Sequence, residues 1–425
     1  MGAKSARFFR NVACGGVLPG EGVPCKKHKL GIIGCGMICQ TGHIPTILNN
    51  DYWTVHALFD PNPANLAAAQ KISRAPNACT DWDAFFKSGI EAVSICSSAP
   101  CHCQNVIDAC QHGLPILCEK PLATNEDEAA RMIAAAKGQG VQLFTAFDYR
   151  FSVAALQIRD LIRDGAIGEP RALRLIYVWN NHGKYVIDAK GKKVPNPHRV
   201  GRMNEGGPLV DCGVHQIDLA RWWLGSEVDR WSVGGAWVDN FDAPDHVWLQ
   251  MDHRNGAHTA VEISYSFGHV VKEPVSHFVY QIVGTGGLIR YSREERLFEL
   301  RTPEGTQPLQ WSEEKNFGWM YDAFAKALET GEPGDVLASA EDGMLATKIA
   351  REATEKVMRY HRRESADLVG GLQGERGESM KSIVDGPVET RSMHRKPGTN
   401  GVNGVIDGPM HLLTDGRPAI EGFDY

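Results

Sequence analysis

The sequence predicts an α/β protein: a doubly wound domain with a parallel sheet, then an α+β domain with a largely antiparallel open sheet. In the first 150 residues short apolar runs alternate with helical segments, a pattern typical of parallel sheets. Further along the chain, strand-like runs follow one another through turns, which favours antiparallel pairing. A chain of 425 residues is also too long for one ordinary core, so two domains are expected.

The first strand leads into a glycine loop. Residues 29–34 form a short apolar run, and Gly34-Cys35-Gly36-Met37-Ile38-Cys39 follows. Two glycines of the G-x-G-x-x-G fingerprint are present, and Cys39 holds the third position, which mainly sets helix–strand packing and tolerates a small residue. A helix through Leu48 would place its positive N-terminal end against a pyrophosphate. These features predict a dinucleotide-binding, Rossmann-type start.

The second strand, 54–59, ends at Asp60. Its spacing from Gly34 suits an acid that binds the adenosine ribose hydroxyls, although Asp60-Pro61-Asn62-Pro63 is also favourable turn chemistry. The strand–loop–helix–strand order favours cofactor binding. Because a carboxylate repels a 2′-phosphate, NAD is expected rather than NADP.

The alternation then continues to residue 147. Helices are predicted at 64–73, 81–88 and 103–112, and strands at 91–96, 116–118 and 142–147. Thr124 is predicted to cap a further helix, with Asp127 in a capping-box-like position. Glu119-Lys120-Pro121 follows the strand predicted at 116–118. At this position Lys120 can polarise a hydroxyl, and Pro121 fixes the backbone. Taken alone, this triplet is better explained as a solvated Lys in an ordinary strand-to-loop turn, so its significance depends on the motifs around it, such as the glycine loop upstream.

The second domain is predicted to begin with a helix to about Arg163. Strand-like segments follow at 172–179, 230–238, 243–251, 257–265, 277–283 and 288–291. Helices near 316–330 and 339–359 are expected to close back on the first domain. The Trp222-Trp223 pair is expected in a helix core.

Asp211 and His215 are the chemically informative residues of this domain. Their i, i+4 spacing predicts one helical face, where a carboxylate can set the tautomer and basicity of an imidazole. A helix-capping Asp and a surface His are equally plausible for the pair alone. Together with Lys120 and the nucleotide-binding pattern, a shared site is the better hypothesis.

A polar and aromatic cluster suggests a carbohydrate pocket, because sugars offer apolar ring faces and many hydroxyls. A strand end followed by a solvated loop explains it equally well. The Pro-rich loop 195–200, with His198 and Arg199, is a candidate cover for the site. The members of the cluster are Tyr177, Trp179, Asn180, Asn181, His182, Lys184 and Tyr185.

Taken in order, the motifs of residues 29–359 resemble the Gfo/Idh/MocA oxidoreductases, the family of glucose–fructose oxidoreductase and inositol dehydrogenase. The chain departs from the family pattern at Cys39, where Ala is usual, and at Asp148, where Asn is frequent. The matching motifs are the glycine loop with His43, Ser97-Ser98-Ala99-Pro100 with His102, Glu119-Lys120-Pro121-Leu122, Tyr149-Arg150-Phe151 and the run from Gly206 to His215.

The resemblance implies an NAD-binding Rossmann domain at 29–150 and a substrate-binding and oligomerisation domain at 151–360, flanked by an extension at 1–28 and an arm at 361–425. It implies that His215 is the general acid/base, that Lys120 polarises the reacting oxygen and that Asp211 orients the substrate or His215. The division of labour between Lys120 and His215 stays open. The implied substrate contacts are these three residues with Trp179, Asn181 and His182. The implied cofactor contacts are Gly34, Gly36, Met37, Ile38, Asp60, Ser97, His102, Glu119, Lys120 and Arg150.

The expected function is therefore an NAD-dependent dehydrogenase that acts on the CH–OH group of a sugar, polyol or glycoside. Two alternatives stay open. Some relatives use NAD catalytically as glycosidases, and their residue requirements overlap almost fully. A non-catalytic sensor of NAD and sugar would need neither Lys120 nor His215, so their presence argues against it.

Bulk properties limit the possible partners. The net charge of −6 and the lack of a basic run make nucleic acid an unexpected partner, and the apolar runs are shorter than a membrane span. The N-terminus has no apolar signal-peptide core.

Eleven cysteines without paired Cys-x-x-Cys motifs predict free thiols, hence a reducing cytoplasm. Cys101-His102-Cys103 lacks a second ligand pair, so no metal is expected.

The composition changes from Arg362 onward, where glycines recur and only short apolar pieces such as 410–413 remain. We expect a homo-oligomer, formed through the sheet of the second domain and through this segment lying as an arm across a neighbouring subunit.

Overall fold

A computed structural model describes residues 26–180 and 183–374, with side chains to residue 362. Contacts divide the chain into one unit up to Gly370 and a second from Gly371 to Tyr425. Nearly all of the second unit lies outside the described residues, as do residues 1–25. The hypotheses on the N-terminal extension and on the C-terminal arm therefore stay untested.

The first sheet has six strands, all parallel, in the order β3-β2-β1-β4-β5-β6. The strand order reverses between β1 and β4, and ligands of such sheets bind at this switch point. The predicted doubly wound parallel sheet is confirmed. Its strands are β1 (His28–Ile33), β2 (Trp53–Phe59), β3 (Asn77–Cys79), β4 (Ala92–Ile95), β5 (Ile116–Cys118) and β6 (Leu143–Thr145).

Five helices connect these strands, and two begin elsewhere than predicted. Ala99 rather than residue 103 begins α4, because Pro100 is accepted in the first helical turn. Asn125 rather than Thr124 caps α5 by accepting the Glu128 N–H, while Thr124 bonds the Glu128 carboxylate. The helices are α1 (Ile44–Leu48), α2 (Pro63–Ser73), α3 (Trp82–Phe86), α4 (Ala99–Gln111) and α5 (Glu126–Gln139). A π-helical turn, Cys39–His43, precedes α1.

The second sheet has eight strands in the order β10-β11-β12-β7-β13-β14-β15-β16. Every neighbouring pair is antiparallel except β12 with β7, so the largely antiparallel prediction is confirmed. The strands are β7 (Pro170–Val178), β10 (Val228–Ala236), β11 (His246–His253), β12 (His258–Ser264), β13 (His277–Gly284), β14 (Leu288–Ser292), β15 (Leu297–Thr302) and β16 (Gly305–Pro308).

Three features of this part were not predicted. The strands β15 and β16 were missed, because β16 is fully exposed and neither shows clear polar–apolar alternation. A small hairpin of β8 (Tyr185–Ile187) and β9 (Lys193–Pro195) precedes the expected loop. That loop is mostly helix α7 (Pro197–Asn204), because Asn196 caps it and Pro197 suits its first position.

The remaining helices join the two sheets. From α9, Met320, Tyr321 and Phe324 are buried in one cluster with Leu30 and Trp53 of the first sheet, as expected for a helix that closes back on the first domain. The helices are α6 (Val153–Arg163), α8 (Val214–Leu224), α9 (Phe317–Thr330) and α10 (Ala340–Gly374). None of the helices described here combines the length and apolarity needed to cross a membrane.

Candidate active site

The glycine loop closes tightly on the end of β4. Gly34 has φ +91°, and a Cβ there would lie 2.4 Å from the Ser97 nitrogen, so only glycine fits. Its N–H donates to the Phe59 carbonyl at 2.8 Å. A Cβ at Gly36 would meet nothing within 4 Å, so the backbone is open on that side. This combination suits a loop that a pyrophosphate approaches closely.

Asp60 organises the glycine loop. Its Oδ2 accepts the Cys35 N–H at 2.7 Å and its Oδ1 accepts the Asn62 N–H at 2.8 Å. A carboxylate has further acceptor sites beyond these two, so the turn function and the binding of ribose hydroxyls are compatible. Beside it in the loop, Met37 is half exposed, and Ile38 packs at the edge of the first-sheet core.

His102 is buried and joins two loops at the edge of the first sheet. Its Nε2 lies 2.9 Å from the Ser97 carbonyl, and its Nδ1 lies 3.0 Å from the Pro121 carbonyl. The Ser97 hydroxyl accepts the Asn105 amide at 2.8 Å. Since both ring nitrogens of His102 face backbone carbonyls, the side chain positions these two loops, and its cofactor contact stays a prediction.

A buried ionic network lies beneath the glycine loop. Glu119 Oε1 is 2.8 Å from His43 Nε2, whose Nδ1 is 2.7 Å from the Tyr321 hydroxyl. Burial alone would raise the pKa of Glu119, but the hydrogen bond and charge of His43 lower it to about 2. Burial alone would lower the pKa of His43. Its neighbours Cys96, Tyr321 and Glu119 outweigh this effect and raise the pKa well above its usual value. Glu119 Oε2 also accepts the Lys120 N–H at 3.0 Å, so the network holds the backbone of Lys120.

Lys120 and Asp211 form the central ion pair. The Lys120 ammonium donates to Asp211 Oδ1 at 2.8 Å and to the Asp211 carbonyl at 3.1 Å. Asp211 Oδ2 accepts the Tyr265 hydroxyl at 2.5 Å and lies 3.6 Å from Arg202 Nε. Burial opposes both charges, yet Asp211 raises the pKa of Lys120 above its usual value, and Lys120 with Arg202 lowers that of Asp211 far below. Both groups are therefore charged at neutral pH.

Asp211 does not pair with His215, contrary to the prediction. Residues Leu209–Gly213 form a π-helical turn, in which hydrogen bonds span five residues instead of four. The Asp211 carboxylate is instead held by hydrogen bonds from Lys120 and Tyr265. Among the described residues, Asp148 is the one carboxylate that forms a pair with His215 within 4 Å, with Nε2 and Oδ1 3.8 Å apart.

His215 is buried against aromatic rings. The Tyr149 ring stacks on the imidazole with centroids 3.9 Å apart and planes within 8°. Burial, reinforced by the charge of Lys120, lowers the pKa of His215 well below its usual value. The imidazole is thus neutral and able to accept a proton. Burial also raises the pKa of Asp148 to about 7, and the sequence had given this residue no role.

Arg150 holds the helix that carries His215. Its guanidinium is buried and donates to Asp218 of α8 at 2.7 and 2.5 Å, and it lies 3.2 Å from Asp342. Two-point pairing of this kind commits most of the donors of Arg150. Its cofactor contact stays a prediction.

Trp179 lies beside Tyr265, whose hydroxyl bonds Asp211 of the ion pair. Its ring stacks on Tyr177 with centroids 5.3 Å apart and meets the edge of Tyr265 at 5.9 Å. Asn181 and His182 lie outside the described residues.

Arg199 is buried and bonds the Tyr265 carbonyl and the Ser266 hydroxyl, so it supports the site rather than covering it. In the part of the chain that the structure describes, no group of three or more Cys, His, Asp or Glu residues is arranged to hold a metal.

Comparison with protein families gives two matches, which together cover more than half of the chain. Residues 28–147 match the model of the oxidoreductase family with an NAD-binding Rossmann fold. Residues 155–290 match the Gfo/Idh/MocA C-terminal domain. The two matched regions come in the same order along the chain as the two sheets.

Relatives with assigned names are similar over most of their length. The rhizopine catabolism protein MocA of Rhizobium meliloti is 27% identical over 341 residues, which is 78% of this chain and 96% of the relative. A D-apiose dehydrogenase of Paraburkholderia graminis is 27% identical over 68% of this chain and 75% of its own. The myo-inositol 2-dehydrogenase of Thermotoga maritima is 28% identical over 49% of this chain and 58% of the relative.

Solved structures show the same fold. The aldose-aldose oxidoreductase of Caulobacter crescentus, complexed with glycerol, matches with a TM-score of 0.66 and 20% identity over 79% of this chain and 98% of its own. An oxidoreductase of Agrobacterium radiobacter, in complex with NAD+, L-tartaric acid and magnesium, matches with a TM-score of 0.64 and 21% identity over 79% and 97% of the two chains.

Proposed function

Because the chain belongs to the Gfo/Idh/MocA oxidoreductase family and has its NAD-binding domain, we propose that it is an NAD-dependent carbohydrate dehydrogenase. It would transfer a hydride between a secondary alcohol of a sugar, polyol or glycoside and the nicotinamide. One observation carries the proposal: Lys120 follows the end of β5, and His215 lies 3.8 Å from Asp148, which follows the end of β6, so the ammonium and the imidazole lie at the same end of the NAD-binding sheet.

Oxidation of an alcohol needs a hydride acceptor, a base and a group that stabilises negative charge on oxygen. NAD, when bound, supplies the acceptor. Lys120 uses two of its three N–H groups on Asp211, so the third is free to donate to the reacting oxygen. Since its pKa is raised, Lys120 stays an ammonium and stabilises the developing alkoxide.

His215 is the better candidate for the base. Its lowered pKa keeps the imidazole neutral at pH 7, and a neutral imidazole can take the hydroxyl proton. Asp211 then holds the ammonium in place instead of orienting His215. This division of labour could not be read from the sequence.

The finer specificity is also part of the proposal. Asp60 remains available to ribose hydroxyls and would repel a 2′-phosphate, which supports NAD over NADP. The aromatic rings of Trp179 and Tyr177 beside Tyr265 support a sugar or polyol, because they offer flat apolar surface next to hydrogen-bonding groups. Names among the relatives agree with this class, including D-apiose, inositol and D-glucoside dehydrogenases.

The test is absorbance at the NADH band for the full chain with NAD, screened against polyols, free sugars and glycosides, with product masses recorded in parallel. A rise together with a product two hydrogens lighter supports the proposal and names the substrate. Release of an aglycone without NADH accumulation would indicate the NAD-cycling glycosidase. Binding of NAD and sugar without turnover would indicate the sensor. The dehydrogenase names of the relatives do not favour these two alternatives.

The domain limits at 29–150 and 151–360, a cytoplasmic location and a homo-oligomer stay predictions. The nine described cysteines are all unpaired. Sedimentation of the full chain and of a chain ending at Tyr360 would give the oligomer mass and the contribution of residues 361–425 to it. A monomeric full chain would contradict the predicted assembly.

A further inference from the structure

Two buried polar atoms beside the central ion pair have no hydrogen-bond partner among the described residues. They are Asp148 Oδ2 and His215 Nδ1, and both side chains are at most 5% exposed. Leaving a buried polar group unsatisfied destabilises a protein, so such groups at a site call for an explanation. Their other polar atoms, Asp148 Oδ1 and His215 Nε2, face each other at 3.8 Å.

The local structure fixes this arrangement. Asp148 begins a single 3₁₀ turn, Asp148–Phe151, which directly follows the end of β6. Tyr149 of this turn stacks on the His215 imidazole. Phe147, which precedes the turn, meets the imidazole edge-on with ring centroids 5.6 Å apart. The segment whose aromatic rings set the ring plane of His215 therefore also carries Asp148, the carboxylate that faces the imidazole.

No other described carboxylate is positioned to take this role. Asp211 is committed to Lys120 and Tyr265, and Glu119 to His43 and the Lys120 backbone. The distance of 3.8 Å between Asp148 and His215 is too long for a hydrogen bond, yet a small movement or one water molecule would close it.

We propose that Asp148 is a positioning residue that exchanges a proton with His215 during turnover. This inference rests on the proposed dehydrogenase function. In the oxidation direction, the hydroxyl O–H bond breaks and a proton joins the imidazole. The Nε2–H then faces the Asp148 carboxylate, which neutralises the imidazolium and, on taking the proton, restores the neutral ring. The electron pair of the C–H bond leaves separately, as hydride, to NAD.

The electrostatic surroundings support this exchange. Burial raises the pKa of Asp148 to about 7, so the carboxyl changes its protonation state near neutral pH. Lys315, Lys120 and His43 oppose that rise, and Glu119 adds to it. The charged groups that act on His215 are Lys120, Glu119, Lys315 and Asp211.

The first test needs no substrate. The full-length protein is labelled at histidine, and the His215 resonance is followed by NMR from pH 5 to 9. We expect its shift to show an inflection near pH 7 that reports the ionisation of Asp148. The inflection should be absent in Asp148→Asn, which is nearly the same size and cannot ionise. Identical titrations in the two proteins would overturn the inference.

Two variants keep this test decisive. Asp252→Asn is the matched control, because Asp252 forms an exposed pair with His258 on the second sheet, and it should leave the His215 titration unchanged. Asp148→Glu keeps an ionisable group at the position and should retain an inflection. It decides the question if Asp148→Asn fails to fold: loss of the inflection in the folded Glu variant would count against a carboxylate at this position.

The second test is the pH profile of kcat/KM with a substrate found in the screen. In the natural protein the rate should rise with pH through about 7, as Asp148 ionises. In Asp148→Asn that limb should be lost and kcat reduced about tenfold or more, a modest acid–base effect, while the Kd for NADH is unchanged. An unchanged profile would overturn the inference. If no substrate were found at all, the proposed function would fail, and the NMR titration would still decide the coupling of Asp148 to His215.

Discussion

The ammonium of Lys120 lies 2.8 Å from the carboxylate of Asp211, and this ion pair joins the parallel sheet to the segment that leads into α8. Lys120 follows β5 of the parallel sheet, whereas Asp211 lies in the π-helical turn that leads into α8. The pair thus connects the side that binds NAD with the side that would bind the substrate. A change at either residue is expected to alter the chemistry more than the binding of NAD.

Replacing Lys120 should abolish most turnover. In Lys120→Met we expect kcat to fall about a hundredfold or more, because no cation remains to stabilise the alkoxide. Removing one member of a buried ion pair also destabilises a protein by about 3–5 kcal/mol. The double variant Lys120→Met/Asp211→Asn should recover part of this stability without recovering turnover. Steady-state kinetics and urea unfolding give the two quantities, and recovered turnover in the double variant would contradict the assigned role.

Replacing His215 should have a similar effect on turnover with little effect on NADH binding. We expect His215→Ala to lower kcat about a hundredfold or more, as is typical for loss of an acid–base group. His253→Asn is the matched control, because His253 is also buried but bonds Ser226 and Thr259 away from the site. Near-wild-type turnover of His215→Ala with NADH still bound would disprove its role as the base.

Tyr265 is expected to hold Asp211 in position. In Tyr265→Phe the 2.5 Å hydrogen bond to Asp211 is lost, which should lower kcat by about tenfold while the Kd for NADH stays the same. Tyr280→Phe is the control, because the Tyr280 hydroxyl is buried without a hydrogen-bond partner in the described part of the chain. Equal kinetics of the two variants would show that the hydroxyl of Tyr265 does not contribute.

Asp60 is expected to set the cofactor preference. Asp60→Ser removes the negative charge that would repel a 2′-phosphate, so the ratio of kcat/KM for NADP to that for NAD should rise about tenfold or more. The ratio is the informative quantity, because loss of the hydrogen bonds to Cys35 and Asn62 lowers kcat/KM for NADP and kcat/KM for NAD together. Asn62→Ser is the control and should leave the ratio unchanged. An unchanged ratio in Asp60→Ser would remove Asp60 from the cofactor assignment.

Much of the fold follows from patterns that extend over several residues. Alternation of strands with helices predicted the parallel sheet, and the glycine loop together with Asp60 at the end of the second strand predicted where a nucleotide would bind. The loop geometry agrees, since Gly34 has a positive φ that other residues rarely adopt. Short or exposed elements such as β16 were missed because they leave no such pattern.

The site was less predictable, because its pairings join distant parts of the chain. The i, i+4 spacing of Asp211 and His215 indicates a shared helical face, but it cannot show that the Asp211 carboxylate is bonded by Lys120, 91 residues away. Arg150 pairs with Asp218, 68 residues away, so its motif gave no hint of that partner. Tyr265 lies 54 residues from Asp211 and belongs to no motif. The one available signal for Asp148 was the departure from the asparagine that is frequent there.

Asp148 should also make the stability of the protein depend on pH, and Asp148→Asn should remove that dependence. The pKa of this carboxyl is about 7 in the folded state, against about 3.9 for an unperturbed Asp in the unfolded chain. Between these values the folded protein holds a proton that the unfolded chain has released, so stability falls as pH rises through this range. Above pH 7 both states are ionised and the loss is constant.

Thermal unfolding of the natural protein and of Asp148→Asn, measured at pH 5, 6, 7 and 8, gives the test. The variant cannot ionise at this position, so its Tm relative to the natural protein should increase from pH 5 to pH 8. Each unit of pKa shift corresponds to about 1.4 kcal/mol, which makes the difference measurable. Asp83→Asn is the control: the hydrogen bond from Lys87 lowers the pKa of Asp83, and neither group changes its charge between pH 5 and 8, so its contribution is constant over this range. A difference between natural protein and Asp148→Asn that is the same at all four pH values would show that Asp148 is ionised throughout, and it could then not exchange a proton with His215.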